Sequence, residues 1–310
     1  MKTAVLTEQG FILKESEVPA VGEDQVLVRM LACGVCSGDL FVYKQRAELA
    51  ATHSQLGHEA SGVVAAVGRA VTDFREGDVV TSLTWPAYAE YFASPATDLA
   101  KLSPEVDPVY ALGEAIACCV HAANRFGTQP GDRVALLGCG FMGLIPLQLV
   151  RRQGAGFICA LDPIAERREM SCRFGADVAY DPTTTDVKAL GEFDIVIEAT
   201  GVQAALDLGT ELVKQHGRLI LIGYHQSNNG RRTVNMQQWN FKGIDVINAH
   251  VRHRAEKAEA MWQGMELLRQ GYLQTKPLVT TYDFADIEQA FQELAAGKPG
   301  LYKAVLRIGR

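Results

Sequence analysis

GDRVALLGCGFMG, Gly131 to Gly143, is the stretch that decides the fold. A Gly-Asp turn leads into the apolar strand RVALLG. A glycine-rich turn follows, Gly138-Cys139-Gly140-Phe141-Met142-Gly143, with the spacing G-x-G-x-x-G, and it opens the apolar helix FMGLIPLQLVRRQGAG. In that setting each glycine has a physical task. Gly138 permits the tight turn, Gly140 lets backbone amides approach a pyrophosphate, and Gly143 lets the helix pack close to the sheet. The helix N-terminus, with Phe141 and Met142 in its first turn, then faces the phosphate charge. Pro146 falls early in this helix, where a missing N–H costs least. The next strand ends CALD, which places Asp162 nineteen residues beyond Gly143. An acid there accepts both ribose hydroxyls of an adenosine and repels a 2′-phosphate, so NAD(H) is favoured over NADP(H). Arg167, just behind it, could stack near the adenine or blur that preference.

Working outward, apolar strands recur downstream: FICALD, DVAYD, FDIVIEAT, GRLILIGY and IDVINAHV, with helical stretches between most of them. Near-continuous apolar runs mark parallel strands covered on both faces. Their alternation with helices predicts a doubly wound α/β sheet. Upstream the pattern differs. QVLVRMLACGV (Gln25–Val35), GVVAAVG and GDVVTSL are short strands edged by glycine, which suggests a compact β-rich unit. ACCVHAANRFG reads as a helix ending at Gly127. From Arg254, RAEKAEAMWQGMELLRQGYL places Ala258, Met261, Trp262, Met265 and Leu268 on one helical stripe. A short β/α tail ends in YKAVLRIGR. The expected organisation is a β-rich unit over 1–121 and 251–310, with a nucleotide-binding unit over 122–250.

The bulk numbers agree with two soluble domains. The chain has 310 residues, 48% of them apolar, and a net charge of −6. That charge leaves no electrostatic footprint for nucleic acid or an anionic membrane. No apolar run reaches the roughly 18 residues of a membrane span, and MKTAVLTEQG lacks the apolar core of a secretion signal. Seven cysteines without regular spacing point to a reducing cytoplasm.

The chemistry-bearing candidates come from three separate segments. Cys36 lies in ACGVCSGDLF, His58 and Glu59 in LGHEAS, and Glu114 in ALGEAIACCVHA. Zinc takes thiolate, imidazole and carboxylate readily, and a catalytic site keeps one position open beside three protein ligands. Cys36 and His58 supply two ligands and Glu114 a third, with Glu59 as neighbour or alternate. Asp39 suits the far nitrogen of His58, where a carboxylate fixes the tautomer. Spacing alone does not unite these residues.

ACGVCSGDL, LGHEASGVVAAVG, FREGDVV, AYAEYF, LGEAIACCVHA and GDRVALLGCGFMG occur in this order. Together they resemble the medium-chain zinc alcohol and polyol dehydrogenases, over essentially the whole chain. The resemblance implies a GroES-like catalytic domain, a Rossmann domain that binds the nicotinamide cofactor, and one catalytic zinc. Cys36 and His58 match the family's first two ligands, and Glu114 falls where sorbitol dehydrogenase-like members carry a glutamate. Asp39 and Glu59 match the acids behind the ligands; Gly138, Gly140, Gly143 and Asp162 match the cofactor fingerprint. The family commonly pairs two sheet edges, and IDVINAHV offers an apolar edge, so a homodimer or homotetramer is expected.

Three departures stand out. GDVVTSLTWPAYAEYF passes from strand to strand without the four-cysteine lobe of a structural zinc. Gly38 stands where the family has a hydroxyl that carries the proton, with Ser37 next to it. Phe41 stands where a histidine often passes the proton to solvent. Ser37, Glu59 and a water chain are the remaining proton carriers. Cys33 reads as a packed thiol rather than half of a redox pair, because the motif ends a strand. Three functions follow: a zinc-dependent, NAD-linked dehydrogenase interconverting a secondary alcohol (a polyol, sugar or cyclitol derivative) and its ketone; a zinc-free quinone or enone reductase on the same scaffold; or a non-enzymatic nucleotide-binding protein.

Overall fold

The computed structural model describes residues 1–308; the last two residues of the YKAVLRIGR tail lie outside them. The chain divides into two compact units, Met1–Ala117 with Arg254–Arg310, and Cys118–His253. No helix among the described residues is long and apolar enough to cross a membrane.

The first unit opens with the antiparallel hairpin β1 (Lys2–Thr7) and β2 (Gly10–Glu15). Five strands follow: β3 (Gln25–Gly34), β4 (Glu59–Val67), β5 (Val79–Ser82), β6 (Tyr91–Pro95) and β7 (Leu99–Lys101). β3 is the spine. It pairs antiparallel with β4 on one side and with β6 further toward its start. Val26, Val28 and Met30 alternate inward along it and are fully buried, as a strand's period of two requires. They join Tyr43, Tyr88 and Phe291 in one core, where the Phe11 and Phe291 rings lie 4.7 Å apart.

The second unit is a six-stranded parallel sheet made of β8 (Arg133–Leu137), β9 (Phe157–Leu161), β10 (Val178–Tyr180), β11 (Phe193–Glu198), β12 (Val213–Leu221) and β13 (Asp245–Asn248). Their order is β10-β9-β8-β11-β12-β13, so the direction of winding reverses between β8 and β11. In such sheets ligands bind beyond the carboxyl ends of the strands at that switch point. Val134, Leu136, Ile195, Ile197 and Ile220 are fully buried, which fits strands covered on both faces. β13 is an edge strand paired with β12. The chain then returns to the first unit, where β14 (Val279–Asp283) and β15 (Lys303–Arg307) complete its sheet, β15 lying antiparallel to β3.

Four local expectations need correction. Cys36 does more than end a strand: it caps an eight-residue helix, Ser37–Lys44. The helix expected to begin near Ala117 begins at Gly113 and ends at Asn124, which puts Glu114 in its first turn. Pro146 is the sixth residue of the helix Phe141–Arg152, beyond the first turn, so its missing N–H removes a bond the helix would otherwise make. On the helix Arg254–Arg269 the buried stripe is Ala260, Met261, Gly264 and Met265, while Trp262 is 64% exposed. Two small residues allow close packing on that stripe, and Trp262 lies one residue, about 100°, round the helix from Met261.

Candidate functional site

In the first unit the end of β3 and the start of β4 lie side by side, with Gly34 opposite Glu59. Cys36 is two residues beyond that pairing on one strand, and His58 is one residue before it on the other. Antiparallel register therefore unites two segments that spacing left apart. One ligand atom each from Cys36, His58 and Glu59 lie within 4.8 Å of one another. The absence of a side chain on Gly34 leaves the space that the Glu59 carboxylate occupies.

Each member is held from behind. Cys36 is the helix N-cap, and its Sγ accepts the Gly38 N–H at 3.4 Å. Asp39, buried in the first turn of that helix, places Oδ1 3.5 Å from His58 Nδ1 and leaves Nε2 for a ligand. Asp39 Oδ2 accepts the Tyr88 hydroxyl at 2.9 Å. Burial works against a charged His58, but its hydrogen bonds to Asp39 and Cys36 outweigh that effect, and the imidazole is pushed up to about 12. Glu59 Oε1 accepts from Lys303 Nζ at 2.6 Å, and both side chains are almost fully buried. Burial pushes the Glu59 carboxyl up, with Lys303 and His58 pulling against it. Its other oxygen, Oε2, is buried and has no hydrogen-bond partner.

These observations answer whether zinc fits. The donor set is sulfur, nitrogen and oxygen, the chemistry zinc accepts. The orphaned Glu59 oxygen is a buried acceptor that a cation would satisfy. Glu114 stands outside this group of three, and its Oε1 is 2.6 Å from Lys257 Nζ. Ser37 begins the helix that Cys36 caps and is exposed. Cys33 is fully buried, its thiol pushed well up by burial, as expected of a packed thiol. Lys303, Lys257 and Tyr88 escaped the reading of the sequence. Lys303 carried a signal, a lone lysine opening the apolar strand KAVLR.

In the second unit the glycine turn follows β8. Gly138 has φ +94°, a conformation that disfavours other residues. A β-carbon on Gly143 would collide with the Gly138 carbonyl, whereas one on Gly140 would meet no atom within 4 Å. The open space is thus at Gly140, the N-cap of the following helix, where a phosphate would approach. Phe141 is buried and Met142 half-buried in its first turn. Asp162 directly follows β9, is 2% exposed, and accepts the backbone N–H of Cys139 at 2.8 Å and of Ile164 at 2.9 Å. Each oxygen keeps a further lone pair. Arg167 Nη1 is 4.0 Å from Asp162 Oδ2.

Comparison with known proteins agrees with both units. Residues 22–105 match the alcohol dehydrogenase GroES-like domain, and residues 142–266 match the zinc-binding dehydrogenase family. An L-threonine 3-dehydrogenase from Bacillus velezensis is 28% identical over 97% of both chains. A sorbitol dehydrogenase from Halalkalibacterium halodurans is 26% identical over 96% of this chain and 97% of that one. Among solved structures, an Escherichia coli oxidoreductase/dehydrogenase of unknown specificity superposes with a TM-score of 0.89 at 25% identity, covering 100% of this chain and 99% of that one.

Proposed function

The chain is a zinc-type medium-chain dehydrogenase of the alcohol and polyol class, linked to NAD(P), and from that premise we propose that it interconverts a secondary alcohol and its ketone with NAD(H). The substrate class is a polyol, sugar or cyclitol derivative. The sorbitol dehydrogenase relative supports that class. The observation that carries the reading is the convergence of Cys36, His58 and Glu59 with one buried, unpartnered carboxylate oxygen.

Cys36, His58 and Glu59 would hold the zinc, with Glu114 as a further carboxylate now paired to Lys257. When bound, zinc supplies Lewis acidity that lowers the pKa of an alcohol and polarises a ketone. The protein's own residues do the rest. The Gly38 N–H steadies the Cys36 sulfur, Asp39 orients the His58 ring, and Lys303 balances the buried charge of Glu59. Ser37 and Glu59 are the proton carriers on offer, since Gly38 and Phe41 occupy the family's usual relay positions. In the second unit, the turn at Gly140 would take the pyrophosphate, beside Phe141 and Met142. Asp162 would take the adenosine ribose, with Arg167 close by. The apolar edge of β13 would pair with a second copy, giving a homodimer or homotetramer in the cytoplasm.

The test is zinc quantification coupled to an NAD and NADP reduction screen over alcohols, polyols and cyclitols. One zinc per chain and turnover of a secondary alcohol are expected. Cys36→Ser and His58→Ala should each lose zinc and turnover while retaining NADH binding. Chain purified without zinc that reduces quinones or enones in chelator would replace this reading with the zinc-free reductase. NADH binding without turnover across the panel would replace it with a nucleotide-binding protein.

A further inference from the structure

The second unit holds a buried charged cluster that the proposed chemistry does not use. Glu198, the last residue of β11, is fully buried and paired across to Leu137 of β8 and Leu221 of β12. Its Oε1 accepts the N–H groups of Thr200 at 2.7 Å and Gly201 at 2.8 Å, and the Thr200 hydroxyl. Its Oε2 faces His225 Nε2 at 3.1 Å, and both atoms are buried without another partner. On the far side of the ring, His225 Nδ1 accepts from Arg232 Nε at 2.7 Å. Arg232 also donates to the carbonyls of Gly201 at 2.7 Å and Ser227 at 2.8 Å.

The order of charges fixes the ring. A guanidinium only donates, so Nδ1 must accept, and a neutral imidazole then carries its proton on Nε2, facing the carboxylate. Arg232, His225 and Glu198 thus form one directional chain. It ties the turn after β11 to the loop 224–232 that follows β12. Thr200, held by Glu198, also fills the space a side chain on Gly138 would need.

Sheet order says what this chain serves. β8 lies between β9 and β11, and a dinucleotide crosses the sheet at that point. Asp162, the acid for the adenosine half, follows β9 on one side. Glu198 and His225 stand at the strand ends on the other side, where the other, nicotinamide half of such a dinucleotide would lie. We propose that His225 is a positioning residue for the nicotinamide half of the cofactor, acting by holding the loop 224–232 against Glu198. The proposal rests on the dinucleotide reading above.

The test measures NADH and ADP-ribose affinities, by calorimetry, for the full chain and three variants. Glutamine offers one acceptor and one donor, as the neutral ring does, whereas phenylalanine fills the space and offers neither. His225→Phe should weaken NADH by about tenfold or more and leave ADP-ribose within about twofold. His225→Gln should restore NADH binding to near the parent value. Arg232→Met, which leaves the ring itself in place, should give the same split as His225→Phe and provides the test if that variant fails to fold. Unchanged NADH affinity in folded His225→Phe or Arg232→Met overturns the proposal. So does an equal loss of NADH and ADP-ribose, or a glutamine variant no better than phenylalanine. Parent chain that binds neither probe overturns the dinucleotide reading, and the proposal with it.

Discussion

Lys303→Met is the most informative single change to the candidate metal centre. Lys303 Nζ is 2.6 Å from Glu59 Oε1, and the two side chains are 7% and 1% exposed. Methionine keeps the apolar stem and removes the charge, leaving Glu59 buried with its other oxygen already unpartnered. Removing one partner of a buried ion pair costs about 3–5 kcal/mol, because the remaining charge is uncompensated. For a unit of this size that lowers the melting midpoint by roughly 6–20 °C. Zinc should recover part of the loss, since a cation at Cys36, His58 and Glu59 gives the carboxylate a new partner. The zinc-induced rise in melting temperature should therefore be larger in Lys303→Met than in the parent chain. Glu59→Gln in the Lys303→Met background should restore most of the stability of the zinc-free chain, because the orphaned charge is gone. Calorimetric melts with and without zinc read both effects. A zinc-free midpoint for Lys303→Met within about 2 °C of the parent would refute the buried-pair account. An equal zinc response in both chains would refute the link to the metal.

Glu59→Gln should weaken zinc at least roughly tenfold, and Glu114→Gln less, in competition against a chelator; the reverse order would give Glu114 the ligand role. NAD should exceed NADP by at least roughly tenfold in kcat/KM, about 1.4 kcal/mol, and parity would mean Asp162 is misread. His58, pushed up to about 12 in the metal-free chain, contributes stability that is full below its ordinary value of 6.5 and fades as pH rises toward about 12. Denaturant midpoints of the zinc-free chain should accordingly fall between pH 7 and 10 more steeply than those of His58→Gln, and parallel slopes would count against it. Light scattering should return a dimer or tetramer; a monomer at all concentrations would remove the β13 edge as an interface.

How much of this was legible in the sequence depended on whether the signal was local. The glycine turn, its strand and its helix are contiguous, so G-x-G-x-x-G and Asp162 could be placed from spacing, and the parallel strands from their apolar runs. The candidate metal centre is not contiguous. Cys36 and His58 meet because β3 and β4 are antiparallel with Gly34 opposite Glu59, a register that no spacing encodes. Only the family resemblance joined them beforehand, and it put Glu114 ahead of Glu59, whereas the structure groups Glu59 with them. The lysines were harder still, because a lysine's partner is set by tertiary packing. Lys303 is 244 residues from Glu59 and Lys257 is 143 residues from Glu114. Trp262 was misplaced for a different reason: an apolar residue beside a buried stripe satisfies a hydrophobicity count without facing the core.

The two candidate carboxylates differ in how firmly a lysine holds each of them. Glu59 and Glu114 each face an ammonium at 2.6 Å, and Glu114 raises the Glu59 carboxyl through space while Lys303 lowers it. A dication held by Cys36 and His58 would compete with the lysines for the carboxylates. The buried pair is the less able to relax, because neither Glu59 nor Lys303 reaches water, whereas Lys257 is 21% exposed and can solvate its charge if released. Glu59 therefore has one oxygen committed to Lys303 and one without a hydrogen-bond partner, while Glu114 is paired with the more exposed Lys257. On the zinc reading Glu59 would be the carboxylate ready for the ion, because a cation there would pair its buried oxygen without breaking the Lys303 contact.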